Sequence, residues 1–287
     1  MPEARIGVIG GSGLYNIEGI EDTEEVNIDT PFGKPSDSIT VGRLGGISIA
    51  FLPRHGRGHR ISPTELPARA NIYALKSLGV ENIIAVCSAG SFKKEIAPGH
   101  LLIPDQLIDR TRLRVNTFFG EGIVGHIPFA DPFCPDLSKI LYQSAKEAGA
   151  TVHPSGTFVV MEGPAFSTRG ESRLYRSWGA DLIGMTALPE AKLAREAEIC
   201  YAVIGCVTDY DSWWEHAEAI TVDVILETMH HNIDTAKNII KLAVSRIPEQ
   251  RDCSCASALA TAFVTAPEAI PAEQKKKLSL IIGKYIE

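Results

Sequence analysis

Asp209 and Asp211, which follow the last strand-like run of the sequence, are the pair of side chains best suited to chemistry. Residues two apart in an extended segment point to the same side, so both carboxyls are expected to face one site. Two such carboxyls can separate in pKa, and one can then keep a proton and donate a hydrogen bond. A metal site is an alternative, but hard cations want several oxygen ligands and Glu215 is the only other carboxylate close in sequence. A turn that caps the next helix is the purely structural alternative.

A basic cluster follows an earlier strand-like run, within the stretch 52–60. Its first two members are Arg54 and His55, and the chain as a whole carries a net charge of -7. The arginine fork suits phosphate oxygens, and a neighbouring histidine can supply another donor. Because open α/β sheets bind ligands beyond their strand ends, we favour a local anion site over a solvated basic loop.

Two segments of small residues also follow strand-like runs. The glycine loop at 10–13 places backbone amides and the Ser12 hydroxyl where an anion can approach, but it matches neither a Walker A motif nor a dinucleotide fingerprint. In the second segment, Ser88 and the amides after it, beginning with Ala89, can contribute to the same anion pocket. No nucleophile elbow surrounds Ser88, so a nucleophilic role is not predicted. Taken singly, the glycine loop is equally well a plain turn, and for the Ser88 segment a tight strand-to-loop turn is favoured.

The segment 184–186 combines a thioether with a hydroxyl. The sulfur of Met185 suits packing against a sugar, and Thr186 near a helix start can donate to an anion. A core methionine before an ordinary helix start explains these residues equally well when they are taken alone.

Composition excludes several classes of function. Hydrophobic residues make up 45% of the 287 residues, which is typical of a globular protein with a sizeable core. The acidic net charge argues against nucleic-acid binding, and the apolar runs are too short to span a membrane. The first residues lack a signal-peptide pattern, so a cytoplasmic location is expected.

Strand-like and helix-like segments alternate along most of the chain. The pattern predicts one α/β domain, in which helices flank a central mixed sheet, with a helical tail from about residue 249. The predicted strands are 5–10, 47–52, 82–87, 100–103, 158–161, 182–185 and 201–207, and the predicted helices are 63–78, 136–148, 171–178, 189–197 and 222–247.

Six cysteines are spread through the sequence. Four lie in or beside apolar runs, where cysteine behaves as a small buried hydrophobe: Cys87, Cys134, Cys200 and Cys206. Cys253 and Cys255 flank a single residue in a polar stretch, and no second Cys/His pair at ligand spacing accompanies them. A zinc site is therefore not predicted, and free thiols are favoured over a disulfide in a reducing compartment.

The order of the motifs is more specific than any one of them. Gly-Gly-Ser-Gly, Pro-Arg-His-Gly, Cys-Ser-Ala-Gly-Ser, Glu-Gly-Pro-x-Phe-Ser, Gly-Met-Thr and Thr-Asp-Tyr-Asp follow one another, beginning at residues 10, 53, 87, 162, 184 and 208. This order resembles the methylthioadenosine phosphorylase branch of the nucleoside phosphorylase family, and the resemblance extends over residues 5–247. The stretches 29–36, 126–128 and 133–135 strengthen it.

The resemblance implies a role for each of a set of residues. Phosphate is expected on Ser12, Arg54, His55, Ser88, Ala89 and Thr186. The nucleoside is expected on Met185 at the ribose, on Phe166, Ser167, Thr208, Asp209 and Asp211 at the base, and on Val222 and Ile225 around a 5′-methylthio group. His126 is expected at a subunit boundary of a homotrimer or a dimer of trimers. No metal or other cofactor is implied, since phosphate is itself a substrate.

The predicted reaction is phosphorolysis of a purine nucleoside. Bound phosphate stabilises a ribosyl cation and captures C1′, while a protonated Asp209 assists the leaving purine at N7. An ionised carboxylate accepts from the 6-amino group, so the aspartates favour adenine over 6-oxopurines. Some relatives carry Asn where this chain has Gly184, which removes one polar contact.

Three other functions are weighed against this one. A broader purine nucleoside phosphorylase would act on adenosine, inosine or methylthioinosine. A noncatalytic anion-binding module would leave the paired aspartates unexplained. A hydrolytic nucleosidase would leave Arg54 and His55 without a phosphate to bind.

Overall fold

The computed structural model of the chain describes residues 2–11, 14, 17–214 and 222–286. The strands in these residues are β1 Ile6–Gly10, β2 Ile20–Val26, β3 Ile39–Leu44, β4 Ile47–Pro53, β5 Asn82–Ser91, β6 Leu101–Leu102, β7 Gln106–Arg110, β8 Val152–His153, β9 Thr157–Met161, β10 Leu182–Gly184 and β11 Cys200–Tyr210. The α-helices are α1 Ala68–Ser77, α2 Pro135–Glu147, α3 Arg169–Ser177, α4 Ala187–Glu196, α5 Val222–Val244, α6 Ala272–Lys277 and α7 Ser279–Ile282. Short 3-10 helices lie at Pro63–Glu65, Ser254–Ser257, Pro267–Ala269 and Gly283–Tyr285.

The strands form one mixed sheet with β5 near its centre. The strand order along its main path is β2-β3-β4-β1-β5-β10-β9-β7. Off this path, β11 pairs with β5 and β6, and β6 pairs with β8. Strands β4, β1, β5 and β11 are parallel to one another, whereas β10 is antiparallel to β5. The predicted mixed sheet is confirmed.

Side chains of β5 alternate between two hydrophobic cores, one on each face of the sheet. Ile83, Ala85 and Cys87 pack in the core that includes α1 and α4. Ile84 and Val86 pack in the opposite core, with α2 and α5. Helices therefore cover both faces, which explains why the central strands are apolar throughout.

Several predicted boundaries were wrong. The predicted helix 63–78 is interrupted at Pro67: a 3-10 turn ends before it, and α1 starts after it. Proline lacks an N–H and keeps the preceding residue extended, and Leu66 has φ -56° and ψ 123°. The sequence also gave no sign of β2, whose residues are mostly exposed and acidic.

The tail that follows α5 packs against the body of the protein. Leu259 and Leu278 are buried in the same core as α1 and α4. Ala262 accepts a hydrogen bond of 2.8 Å from the His126 amide, and Phe263 forms an isolated bridge with Gly125. In the described part of the chain, no helix combines the length and hydropathy needed to cross a membrane.

Candidate active site

The second half of β5 is the place where the predicted site residues meet. Ser88 lies opposite Cys206 of β11, and Gly90 pairs with Asp209 on one side and with Ile183 of β10 on the other. Strands β1 and β4 end beside this region, where the Arg54 amide donates to the Gly10 carbonyl at 2.9 Å. Four strand ends thus converge, as expected for a ligand site in an open α/β sheet.

Arg54 is buried and forms a bidentate ion pair with Glu190 of α4. Its Nε and Nη2 lie 2.6 and 3.0 Å from the two Glu190 carboxylate oxygens, and both side chains are 2% exposed. Its Nη1 donates to the Val86 carbonyl at 2.8 Å, and Nη2 also donates to Ile9 at 3.4 Å. Burial opposes the positive charge, but the Glu190 carboxylate outweighs it and raises the pKa of Arg54. Protein oxygens thus take four of the five N–H groups of Arg54, so its phosphate contact stays a prediction.

His55 is buried next to Arg54 and is neutral near pH 7. Burial lowers its pKa to about 4, which the hydrogen bond to Ile61 only partly offsets. Its Nδ1 lies 2.8 Å from the Ile61 carbonyl oxygen, and a carbonyl only accepts, so Nδ1 carries the proton. The free Nε2 is then an acceptor, suited to a protonated phosphate oxygen rather than to the donor role expected from the sequence.

Asp209 and Asp211 lie together against Gly90, on the same side as their spacing predicts. A Cβ on Gly90 would be 3.3 Å from Asp209 Oδ2 and 3.3 Å from the Asp211 Cβ. Burial raises the pKa of Asp209 to about 6; the Thr208 hydroxyl, which donates at 2.7 Å, opposes this and the Asp211 charge adds to it. A share of Asp209 is therefore protonated near neutral pH.

Asp211 is 7% exposed and is held by a neighbouring loop. The Ser167 hydroxyl donates to its Oδ1 at 2.5 Å. Burial raises the pKa of Asp211, while the Ser167 hydrogen bond lowers it. Its Oδ2 is buried, and the Ser172 hydroxyl and the Ser212 amide also lower the pKa of this carboxyl. The loop that carries Ser167 thus fixes the second carboxyl beside Asp209.

Gly90 is expected to be essential for the positions of both aspartates. A methyl group there would also meet Ile183 Cγ2 at 3.3 Å, so Gly90→Ala must push at least one neighbour away. We expect kcat/KM to fall roughly tenfold or more, since small displacements of catalytic groups are costly. Steady-state assays of Gly90→Ala beside Gly283→Ala test this, because a Cβ at Gly283 meets nothing within 4 Å. Equal activity of the two variants would show that the site tolerates the added methyl.

Residues 184–186, just before α4, are closely packed against neighbouring segments. A Cβ on Gly184 would lie 2.7 Å from the Phe158 ring, which occupies the space that a larger residue would need. Met185 packs its sulfur against Gly163, where a Cβ would be 2.5 Å away. Thr186 is buried and donates to the Cys87 sulfur at 3.4 Å, which brings it beside β5. Regular helical geometry of α4 starts only after Leu188, whose backbone is extended.

Comparison with known proteins identifies the family of the chain. Residues 5–245 match the family model of the phosphorylase superfamily. The chain belongs to this superfamily. S-methyl-5′-thioadenosine phosphorylase of Geobacter sulfurreducens is 59% identical over 99% of this chain and 100% of its own length. The Koribacter versatilis protein of the same name is 54% identical over 99% of this chain and 97% of its own length.

Solved structures agree with this family assignment. A methylthioadenosine phosphorylase from an antarctic soil metagenomic library has a TM-score of 0.94 and 47% identity, covering 98% of this chain and 99% of its own. A Schistosoma mansoni adenosine/methylthioadenosine phosphorylase, mutant S12T, in complex with methylthioadenosine, has a TM-score of 0.83 and 35% identity, covering 90% and 96%. The resemblance predicted from the motif order is confirmed.

Most predicted site residues of this superfamily member meet around β5, but some do not. Phe166 is 67% exposed, and His126 is exposed on a loop that contacts the tail. Ser12 and the side chains of Val222 and Ile225 lie outside the described residues. Neither Phe166 nor His126 is covered by the described residues of the single chain.

Sequence reasoning missed the residues that support the site. Glu190 balances Arg54 and also accepts from the Tyr201 hydroxyl at 2.9 Å. Arg114 is buried, pairs with Glu162 at 3.1 Å and donates to the carbonyl oxygens of Met185 and Leu188. Glu190 and Arg114 have no local sequence signal, because each is far in the chain from the residue with which it pairs.

Proposed function

We propose that this chain cleaves S-methyl-5′-thioadenosine with phosphate, giving adenine and 5-methylthioribose 1-phosphate. The observation that carries the proposal is the pair of the partly buried Asp209 and the buried Asp211, beside Gly90 at the junction of β5 and β11. Membership in the phosphorylase superfamily and the names of relatives at 54–59% identity support it.

The two aspartates bind different atoms of the purine. Asp209, with a pKa of about 6, donates a proton or a strong hydrogen bond to N7 as the glycosidic bond breaks. Asp211, the second carboxyl beside Gly90, accepts from the 6-amino group through a carboxylate oxygen. A 6-oxopurine would present an acceptor to this oxygen, so inosine is a poor substrate.

Phosphate is expected between Ser88, Ala89 and Thr186, beside the neutral imidazole of His55. The negative charge of phosphate lies next to the glycosidic bond and stabilises the ribosyl cation as this bond breaks. A phosphate oxygen then bonds to C1′. Arg54 is already balanced by Glu190, so the pocket carries less positive charge than the basic cluster suggests. The enzyme acts mainly by placing two reactants and excluding water.

The assembly follows from the residues that the single chain leaves exposed. Phe166 is 67% exposed and Leu113 76%, which suits surfaces covered by a neighbouring subunit. A homotrimer or a dimer of trimers, with His126 near the boundary, remains our proposal. The cytoplasmic location and the absence of a metal cofactor in catalysis also stay predictions.

The reaction is tested by adenine release from S-methyl-5′-thioadenosine, with and without phosphate. We expect release only with phosphate, a phosphorus signal of the sugar 1-phosphate by NMR, and little action on inosine. Phosphate-independent release would make the chain a nucleosidase. Equal use of inosine would support the broader purine phosphorylase, which the ionised Asp211 carboxylate disfavours.

A further inference from the structure

Four cysteines from distant parts of the sequence meet at the end of the sheet opposite the active site. Cys134 precedes α2, Cys200 begins β11, and Cys253 and Cys255 lie in the tail at the 3-10 turn Ser254–Ser257. The four sulfur atoms all lie within 4.8 Å of one another, and those of Cys200 and Cys253 are 3.3 Å apart. All four are free thiols; three are buried and Cys253 is partly buried.

We propose that Cys134, Cys200, Cys253 and Cys255 bind one Zn²⁺ ion as a structural site. Zinc bound by four thiolates is tetrahedral with Zn–S bonds of about 2.3 Å, so the sulfurs lie about 3.8 Å apart. The sulfur atoms of the cluster lie within 4.8 Å of one another, so side-chain shifts of about an ångström bring them to this spacing. Four protein ligands leave no open position, which is the arrangement of a structural rather than a catalytic zinc.

Cys134 and Cys200 are buried, as predicted, and the proposal gives them a second role together with the thiol pair Cys253 and Cys255. Cys253 and Cys255 were judged to lack a second ligand pair, but the fold supplies it from positions 134 and 200. A spacing rule cannot find ligands that are about 50 and 120 residues away from the pair. Among the described residues, this is the group of cysteine, histidine and carboxylate side chains that converges within ligand distance.

The backbone around the cluster is already fixed by other contacts. The Cys134 amide donates to the Tyr201 carbonyl at 2.9 Å, which holds the start of α2 against β11. Arg251 donates to the Glu198 carbonyl at 2.8 Å and so fixes the tail just before Cys253.

The location assigns the zinc to stability rather than to chemistry. Cys200 and Asp209 are nine positions apart in the same strand, about 30 Å at 3.3 Å per residue. The site instead joins the tail to the sheet, and the tail supports the loop that carries His126 through the hydrogen bond to Ala262. Loss of the metal is therefore expected to loosen the tail and lower the melting temperature.

Metal content of untagged protein, purified without added chelator, is the first test. We expect about one zinc per chain by plasma mass spectrometry, as one closed site requires. The double variant Cys253→Ser, Cys255→Ser should lose it, while Cys206→Ala should keep it, because Cys206 is buried outside the cluster. Cobalt exchanged into the wild type should give the visible bands of a tetrahedral thiolate site, absent from the double variant.

Thiol titration after denaturation separates zinc from disulfides. With zinc removed by a chelator and no reductant present, we expect all six thiols to react. Metal-free protein with two or four fewer thiols would overturn the proposal in favour of disulfides. Six thiols without metal after growth with added zinc would overturn it as well, and iron in place of zinc would overturn the choice of metal. These outcomes do not depend on the nucleoside assay.

Discussion

Replacement of Asp209 by Asn is expected to lower kcat/KM for S-methyl-5′-thioadenosine by roughly 10²–10⁴-fold, the range of a lost general acid. Asparagine keeps the size and can still donate a hydrogen bond, but it cannot transfer a proton to N7. Asp209 keeps its proton in a share of the molecules near neutral pH because burial raises its pKa to about 6. The matched control is Asp234→Asn, since Asp234 is 79% exposed on α5 and should leave turnover unchanged.

The pH dependence follows from the same raised pKa. The protonated form of Asp209 is the active one, so the limb of the kcat/KM profile that Asp209 controls should fall as pH rises through about 6. Phosphate loses a proton in the same range, so the profile is measured at saturating phosphate and compared with that of Asp209→Asn. The part of the decline that is due to Asp209 should be missing in the variant. Near-normal turnover of the variant, or an unchanged profile, would remove Asp209 from proton transfer.

Stability provides an independent check on this variant. A carboxyl whose pKa is raised on folding from 3.8 to about 6 favours the folded state at low pH, and this contribution is lost as pH rises through 6. Asparagine does not ionise, so the variant should melt at the same or a higher temperature than the wild type at pH 8. A lower melting temperature would mean that the lost activity reflects damage to the fold.

The fold was predictable wherever local patterns were strong. Apolar runs located the central strands, and the stripe along α5 located the long helix, because burial on both sheet faces leaves a direct mark in sequence. The edge strand β2, with mostly exposed acidic residues, has no such mark. Its pairing with β3 depends on the rest of the sheet, which a local pattern does not contain.

The site was predictable only for residues within short motifs. Asp209 and Asp211 could be paired from their spacing, since an extended strand places them on one side. Glu190 could not be linked with Arg54, which is 136 positions away, nor Cys134 with Cys253. Contacts of this kind arise from sheet topology, so they appear only once the strand order is known.

Arg54→Ala is expected to damage the fold as well as phosphate binding, because it leaves Glu190 buried without its counter-ion. Both side chains are 2% exposed, and removal of one partner of a buried pair costs about 3–5 kcal/mol. At about 2–4 °C per kcal/mol for a large domain, the melting temperature should fall by roughly 6–20 °C. Calorimetry beside Lys241→Ala tests this, since the Lys241–Glu18 pair is 33% and 96% exposed and should contribute at most about 1 kcal/mol.

The double variant Arg54→Met, Glu190→Leu separates the two roles of Arg54. Replacement of a buried ion pair by apolar residues of similar volume is often neutral, so most of the lost stability should return. The KM for phosphate should nevertheless stay high if the remaining N–H of Arg54 contacts phosphate. A normal KM for phosphate in the double variant with restored stability would show that the role of Arg54 is limited to supporting the strand ends. Phosphate binding would then be assigned to Thr186 and the backbone amides near Ala89.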